Sequence, residues 1–337
     1  MATRYWVGGA GTWNTSSTTN WSTSSGGASG ASAPTITDDV VIDSSSGTGT
    51  ITCTSATCAN LTVTASQAII LGAASSTLAV YGNISFPSGG SFSASTNSLT
   101  ITISSSAASK TITSNGKSFY NLTLNDATGT CSLSDGLTVN NTFTINQGTF
   151  STNNFTIYAG SFYYQNTGFT TINLGSSVFN INGASSGGVV FNGSSLLTFN
   201  YGTSHFKFYS PTSTLSTSVY NVSFYDVSFF SVTTVSITVQ NASSTFNSLT
   251  FGGLASAVAN YTISGNLKVN GTFSTYNTTP SGRVRLKSGT TGTAVTVTAA
   301  AVSLSDADFS DITAAGTAAP FSGTRLGNCQ EIGRAHV

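Results

Sequence analysis

The densest acidic group in the chain is Asp306-Ala307-Asp308-Phe309-Ser310-Asp311. In a strand, residues two apart share a face, so Asp306 and Asp308 would suit general acid–base work on a glycosidic bond, or a hard cation. The plainer reading, solvated loop carboxylates, is the one expected. Asp38, Asp39 and Asp43 form a second acidic group, among turn residues whose backbone N–H groups such side chains accept. His205 is the only histidine ahead of residue 331, so a Ser-His-Asp triad would have to use it. No G-x-S-x-G elbow accompanies it, and a surface or turn role is expected. Arg283-Val284-Arg285-Leu286-Lys287 alternates basic and apolar residues, one face wet and one buried. It would suit an anionic glycan or, more plainly, a solvated strand. Cys53, Cys58, Cys131 and Cys329 lack the second close pair that a zinc site needs, and read as small buried apolar residues.

Binding is better represented than catalysis. The stretch from 205 to 230 is the most aromatic, with Phe206, Phe208, Tyr209, Tyr220, Phe224, Tyr225, Phe229 and Phe230. Phe206 and Phe208 alternate as inward residues do, and so do Val222 and Phe224. Tyr209, Tyr220 and Tyr225 are therefore the candidates for glycan contact. Thr-x-Thr pairs at 50–54, 62–64, 100–102 and 111–113 would suit a flat ice-binding face, but they also read as ordinary solvent-facing β pattern. The polygalacturonase signatures N-T-D, D-D, H-G and R-I-K are absent as a set. No enzyme activity, cofactor or metal is expected.

The elements that must position these residues are strands. Only 6% of the 337 residues are charged, against roughly 25% in an ordinary domain. With 21 Phe, 12 Tyr and abundant Thr, Val and Ile, the chain favours β structure over disorder. Ten basic and ten acidic residues leave no net field for nucleic acid, and no apolar run approaches the ~18 residues of a helical membrane span. Neither partner is expected.

Trp6, Trp13 and Trp21 are the only tryptophans. They fall in Tyr5-Trp6-Val7-Gly8-Gly9-Ala10-Gly11-Thr12-Trp13, then Asn20-Trp21, followed by Pro34 and Asp39-Val40-Val41-Ile42. This arrangement, W-x-G-G-x-G-x-W, then N-W, P and D-x-V-x-[IF], resembles the opening of phage and bacterial surface β-solenoids, including autotransporter-associated adhesins. The resemblance implies an all-β fold: a right-handed parallel β-helix with an N-terminal cap over 1–48, in which the three tryptophans cover the first rung. Gly323-Thr324-Arg325-Leu326-Gly327-Asn328-Cys329 is similar to a G-T-R-L-G-D-C stretch of phage proteins, with Asn328 in place of Asp.

Residues 49–330 are expected to form the β-helix, in roughly a dozen rungs of about 20–25 residues. Short alternating runs such as Leu61-Thr-Val63 and Leu99-Thr-Ile-Thr-Ile103 supply its strands. Leu137-Thr-Val139-Asn140 matches Leu267-Lys-Val269-Asn270 at an offset of 130, and Phe119-Tyr-Asn-Leu-Thr-Leu124 matches Val219-Tyr-Asn-Val-Ser-Phe224 at 100. No single period survives. Glu331-Ile-Gly-Arg-Ala-His-Val337 contains the only Glu and reads as the translation of a sequencing adaptor, GAG ATC GGA AGA GCA CAC GTC. Residues 331–337 are thus expected to be a scar, with the natural chain continuing past Gln330 and the β-helix truncated there.

No charged segment leads into an apolar one after Met1, so no signal peptide is read. These features point to a structural and receptor-recognition subunit of a phage tail fibre or similar virion appendage. Its expected partners are a cell-surface glycan or protein receptor, other virion proteins and further copies of itself, at a virion or extracellular surface. The alternatives are a secreted adhesin of autotransporter type, and a polysaccharide depolymerase with catalytic residues in a missing part.

Overall fold

A computed structural model describes the chain except for residues 73–75, 96–97, 107–108, 166–167, 184–187, 193–195, 210–213, 218–221, 232–233, 239–243, 254–257, 280–281 and 329–337. The described residues form strands and turns, with one 3-10 turn at Ser44–Ser46. They divide into two compact units, Met1–Ala159 with Asn166–Asn173, and Gly160–Gln165 with Leu174–Val337. In each unit parallel strands stack turn upon turn, and the fold is a β-solenoid of about eleven turns. The all-β solenoid expected from the sequence is the fold observed.

In the first unit, alternation of apolar residues with Thr or Ser forces each strand to bury one face. Ile101 pairs with Leu78 on one side and Leu122 on the other, and Leu122 with Phe143. All four are at most 1% exposed. Each such apolar side chain contributes about 1.5–3 kcal/mol by leaving water. Lys110 and Asp126 interrupt this interior as a wholly buried ion pair. Lys110 Nζ also donates to Ser106 O (3.0 Å), and Asp126 Oδ1 accepts from Gly129 N (3.1 Å) and Ser106 N (3.3 Å). Those extra bonds are what make a buried pair tolerable.

The ladder begins differently from how it continues. Thr3–Trp6 pairs in parallel with Asp39–Ile42 but antiparallel with Trp21–Ser22. The antiparallel segment occupies backbone groups that a first strand would otherwise leave open. Trp21 packs edge-on against Trp6 at 5.0 Å and Trp13 at 5.2 Å, all three rings fully buried. Gly9 has φ +75°, and a Cβ there would lie 2.7 Å from Thr48 O, so this bend requires glycine. Asp38 accepts from Ala2 N and Thr35 N, Asp39 from Asn60 N and Asp43 from Ser45 N. These aspartates bind backbone, as their turn context predicts.

One feature departs from the sequence reading. Strands are not all short: Ser118–Leu133 has 16 residues and Leu137–Ser151 has 15, because pairing continues through register shifts at the corners. The matches at offsets of 100 and 130 span several turns, and the stacking neighbours are about 20 residues apart, as Phe119 and Val139 are.

The second unit fills its interior with phenylalanine. Phe208 stacks on Phe229 (4.5 Å, 17°) and Phe229 on Phe251 (5.5 Å, 9°). Phe179 stacks on Phe206 and Phe224 on Phe246. In-register parallel strands about 4.8 Å apart put like rings face to face.

Candidate functional site

The outer face of four turns in the second unit carries aligned columns of chemically distinct side chains. Its strands are His205–Phe208, Phe224–Ser231, Thr245–Gly253 and Leu267–Asn277. Inward Phe208, Phe229 and Phe251 fix the phase, so the residues on either side of them point outward.

One outward column is aromatic. Tyr209 stacks on Phe230 at 5.1 Å and 18°. Phe230 pairs with Gly252, and Gly252 with Tyr276. Tyr276 breaks the stack, standing 6.1 Å from Phe230 at 68°. A Cβ at Gly252 would meet Tyr276 Cε1 at 2.9 Å, Tyr276 Cζ at 3.2 Å and Phe230 Cδ1 at 3.1 Å. The tyrosine ring therefore lies across the glycine, in space that any other residue would take. Tyr261 Oη, buried beneath, donates to Gly252 O at 2.6 Å and pins this stretch of backbone. Tyr209 is 44% exposed and Tyr276 37%. Burial, with Tyr209 nearby, pushes the Tyr276 phenol above its ordinary value.

Two residues along, a second column runs Lys207, Ser228, Thr250, Ser274. Thr250 and Ser274 hydroxyls bond each other at 2.8 Å. A third column holds His205, Asp226 and Ser248. His205 Nε2 lies 2.8 Å from Ser228 Oγ. Burial first, then Lys207, holds its imidazole below the ordinary value, and Asp226 opposes this. Asp226 is the in-register neighbour of His205, yet the two form no ion pair, and Asp226 Oδ1 is buried without a partner. A serine, a histidine and an aspartate thus share the face without the chain of hydrogen bonds that a triad requires.

Of the candidate tyrosines, Tyr209 belongs to this site. Tyr225 does not: it is half-buried near the start of its strand, five residues before Phe230. Tyr220 lies outside the described residues, as do Cys329 and residues 331–337. Gly252 and Tyr276 escaped the sequence reading, because each joins the column from a later turn. The signal was there as a spacing, Phe230 to Gly252 to Tyr276, at steps of one solenoid turn.

The acidic cluster near the C-terminus is committed elsewhere. Asp306 sits at a bend with φ +51°, off the strand Ala307–Ser310 that carries Asp308, so the two do not present one strand face. Asp308 receives Arg283 through Nε (2.8 Å) and Nη2 (2.6 Å), and Asp306 receives Arg325 Nε at 2.5 Å. The hydrogen bond from Arg325 holds the Asp306 carboxyl below its ordinary value. Arg285 and Lys287 are exposed while Val284 and Leu286 are buried, as the alternation predicts. Cys53, Cys58 and Cys131 are buried free thiols, with Cys53 and Cys131 pushed up to about 12 by burial. No cluster of metal-ligating side chains occurs among the described residues.

No family model, curated protein or solved structure matches the chain.

Proposed function

We propose that this chain is a structural and receptor-recognition subunit of a phage tail fibre or similar virion appendage, working without catalysis at a virion or extracellular surface. The observation that carries this reading is the outer face of the second unit. There exposed tyrosines, hydroxyls and three ionisable side chains stand in columns on a backbone fixed by the stacked phenylalanines beneath. A rigid sheet holds a binding surface at low entropic cost, which suits recognition. The arginine-bound aspartates at 306 and 308 support the non-enzymatic part, since paired carboxylates are poorly placed to exchange protons with a substrate. A cell-surface glycan or protein is the receptor, and other virion proteins and further copies of the chain are its assembly partners.

The test is direct. The purified chain should adsorb to cells of a susceptible bacterium and compete with intact phage for adsorption. The open reading frame should lie among tail or baseplate genes. Adsorption without competition, beside a translocator gene, would move the reading to a bacterial adhesin.

A further inference from the structure

Building on the recognition reading, we infer that Tyr276, Phe230 and Tyr209 form the seat of an uncharged pyranose glycan. Tyr276 takes the apolar C–H face of one sugar, and the hydrogen-bonded Thr250 and Ser274 pair takes hydroxyls along its rim. The assignment of roles follows from ring geometry. Tyr209 and Phe230 are stacked on each other at 18°, so the faces they share are already used. Tyr276 is turned out of that stack by 68° and lies over a residue with no side chain. It is 37% exposed, which leaves ring surface for a ligand. Phe230 then forms the wall of a corner whose floor is Tyr276.

The part of the face that carries the rings is small, although the ladder itself runs on to Asn180 beside Lys207 and to Ser303 beside Ser274. Four turns about 4.8 Å apart and three outward columns about 6.6 Å apart span roughly 14 by 13 Å, or about 200 Å². A standard protein interface takes about 800 Å² from each partner. A patch of one or a few sugars fits the smaller figure. Charge separates a neutral glycan from an acidic one. Within the three columns the ionisable groups, apart from tyrosines, are Lys207, Asp226 and His205; exposed Lys268 of the fourth strand lies on the other side of the register shift between Phe246 and Leu249. Lys207 and Asp226 cancel, and the half-buried His205 adds no charge near neutral pH. No net field favours a carboxylate-bearing sugar.

The full chain is immobilised and titrated with cellohexaose, laminarihexaose and maltohexaose, with hexagalacturonate as the acidic comparison. At least one neutral probe is expected to bind, with hexagalacturonate no tighter. Tyr276→Ala and Gly252→Val should each weaken binding by about tenfold or more, the first by removing the ring and the second by displacing it. Tyr276→Phe should stay within about threefold, which shows that the ring and not a folding defect is read. Three outcomes overturn the inference: no neutral probe binds, hexagalacturonate binds tighter, or Tyr276→Ala binds as well as the parent. Cell adsorption separates this from the parent reading. A chain that adsorbs to cells yet ignores every probe keeps the recognition role and loses the glycan seat. A chain that binds a neutral probe through Tyr276 but never adsorbs to cells does the reverse.

Discussion

Each unit has a parallel backbone ladder of the same kind, and they differ in what they stack on it. The first carries aliphatic columns inside, with Leu78, Ile101 and Leu122 in register beside its Trp and Phe clusters, and sets Thr102, Thr123 and Thr144 in register outside. The second packs Phe208, Phe229 and Phe251 inside and Tyr209, Phe230 and Tyr276 outside. A parallel solenoid repeats every local choice at the spacing of one strand, so a column multiplies the chemistry of a single residue. Columns of threonine make a uniform surface. Columns of aromatics make one with edges, and the single glycine at 252 converts a ladder into a corner.

The sharpest contrast inside the two cores is polar against aromatic. Asp126→Ala would remove the counter-charge of the buried Lys110 ammonium, and should cost about 3–5 kcal/mol in urea melts. The double change Lys110→Met with Asp126→Leu should recover most of that loss, since an apolar pair needs no desolvation. A single change costing under about 1 kcal/mol would mean that the pair is not buried as described. Phe229→Ala removes the middle ring of a stack and should cost about 3–5 kcal/mol. Phe229→Leu should recover part but not all of it if ring stacking adds to bulk, by about 0.5–1.5 kcal/mol. Equal stability of Phe229→Leu and the parent would reduce the aromatic interior to volume filling.

A smaller effect is expected from His205. Its folded imidazole titrates below the ordinary value, so the unfolded chain binds a proton more readily. The stability linked to it is complete above about pH 6.5 and is lost as pH falls below that. Melts between pH 8 and 5 should show this slope, and His205→Gln should flatten it. A slope unchanged in that variant would assign it to other groups. A modest stability effect, about 1 kcal/mol, is expected from Tyr276→Ala, because the side chain is 37% exposed and loses its contacts with Gly252 and Phe230.

Much of the fold was legible because alternation and turn chemistry are local. Phe206, Phe208, Val222 and Phe224 are buried as their spacing predicts, and the aspartates near residue 40 bind turn backbone as their neighbours suggest. Stacking register was not legible at long offsets. Thr100-Ile-Thr-Ile103 lies against Asn121-Leu-Thr-Leu124, which lies against Thr142-Phe-Thr-Ile145. That repeat shares little beyond apolar alternation, and it drifts wherever a corner bulges. The binding corner was half legible for the same reason. Tyr209 and Phe230 fall in one aromatic stretch, whereas Gly252 and Tyr276 join them only through register. The acidic cluster reads as solvated loop carboxylates because its arginine partners, Arg283 and Arg325, stand 25 and 19 residues away in the chain and meet it only in the fold.

The comparison of the two surfaces gives the most direct test. Adsorption of the full chain to susceptible cells would be measured for the parent, for Tyr276→Ala on the aromatic column and for Thr123→Ala on the threonine column. Tyr276→Ala is expected to adsorb about tenfold more weakly while remaining folded at the assay temperature, and Thr123→Ala to adsorb as the parent does. Equal adsorption by all three, or loss only with Thr123→Ala, would contradict this expectation.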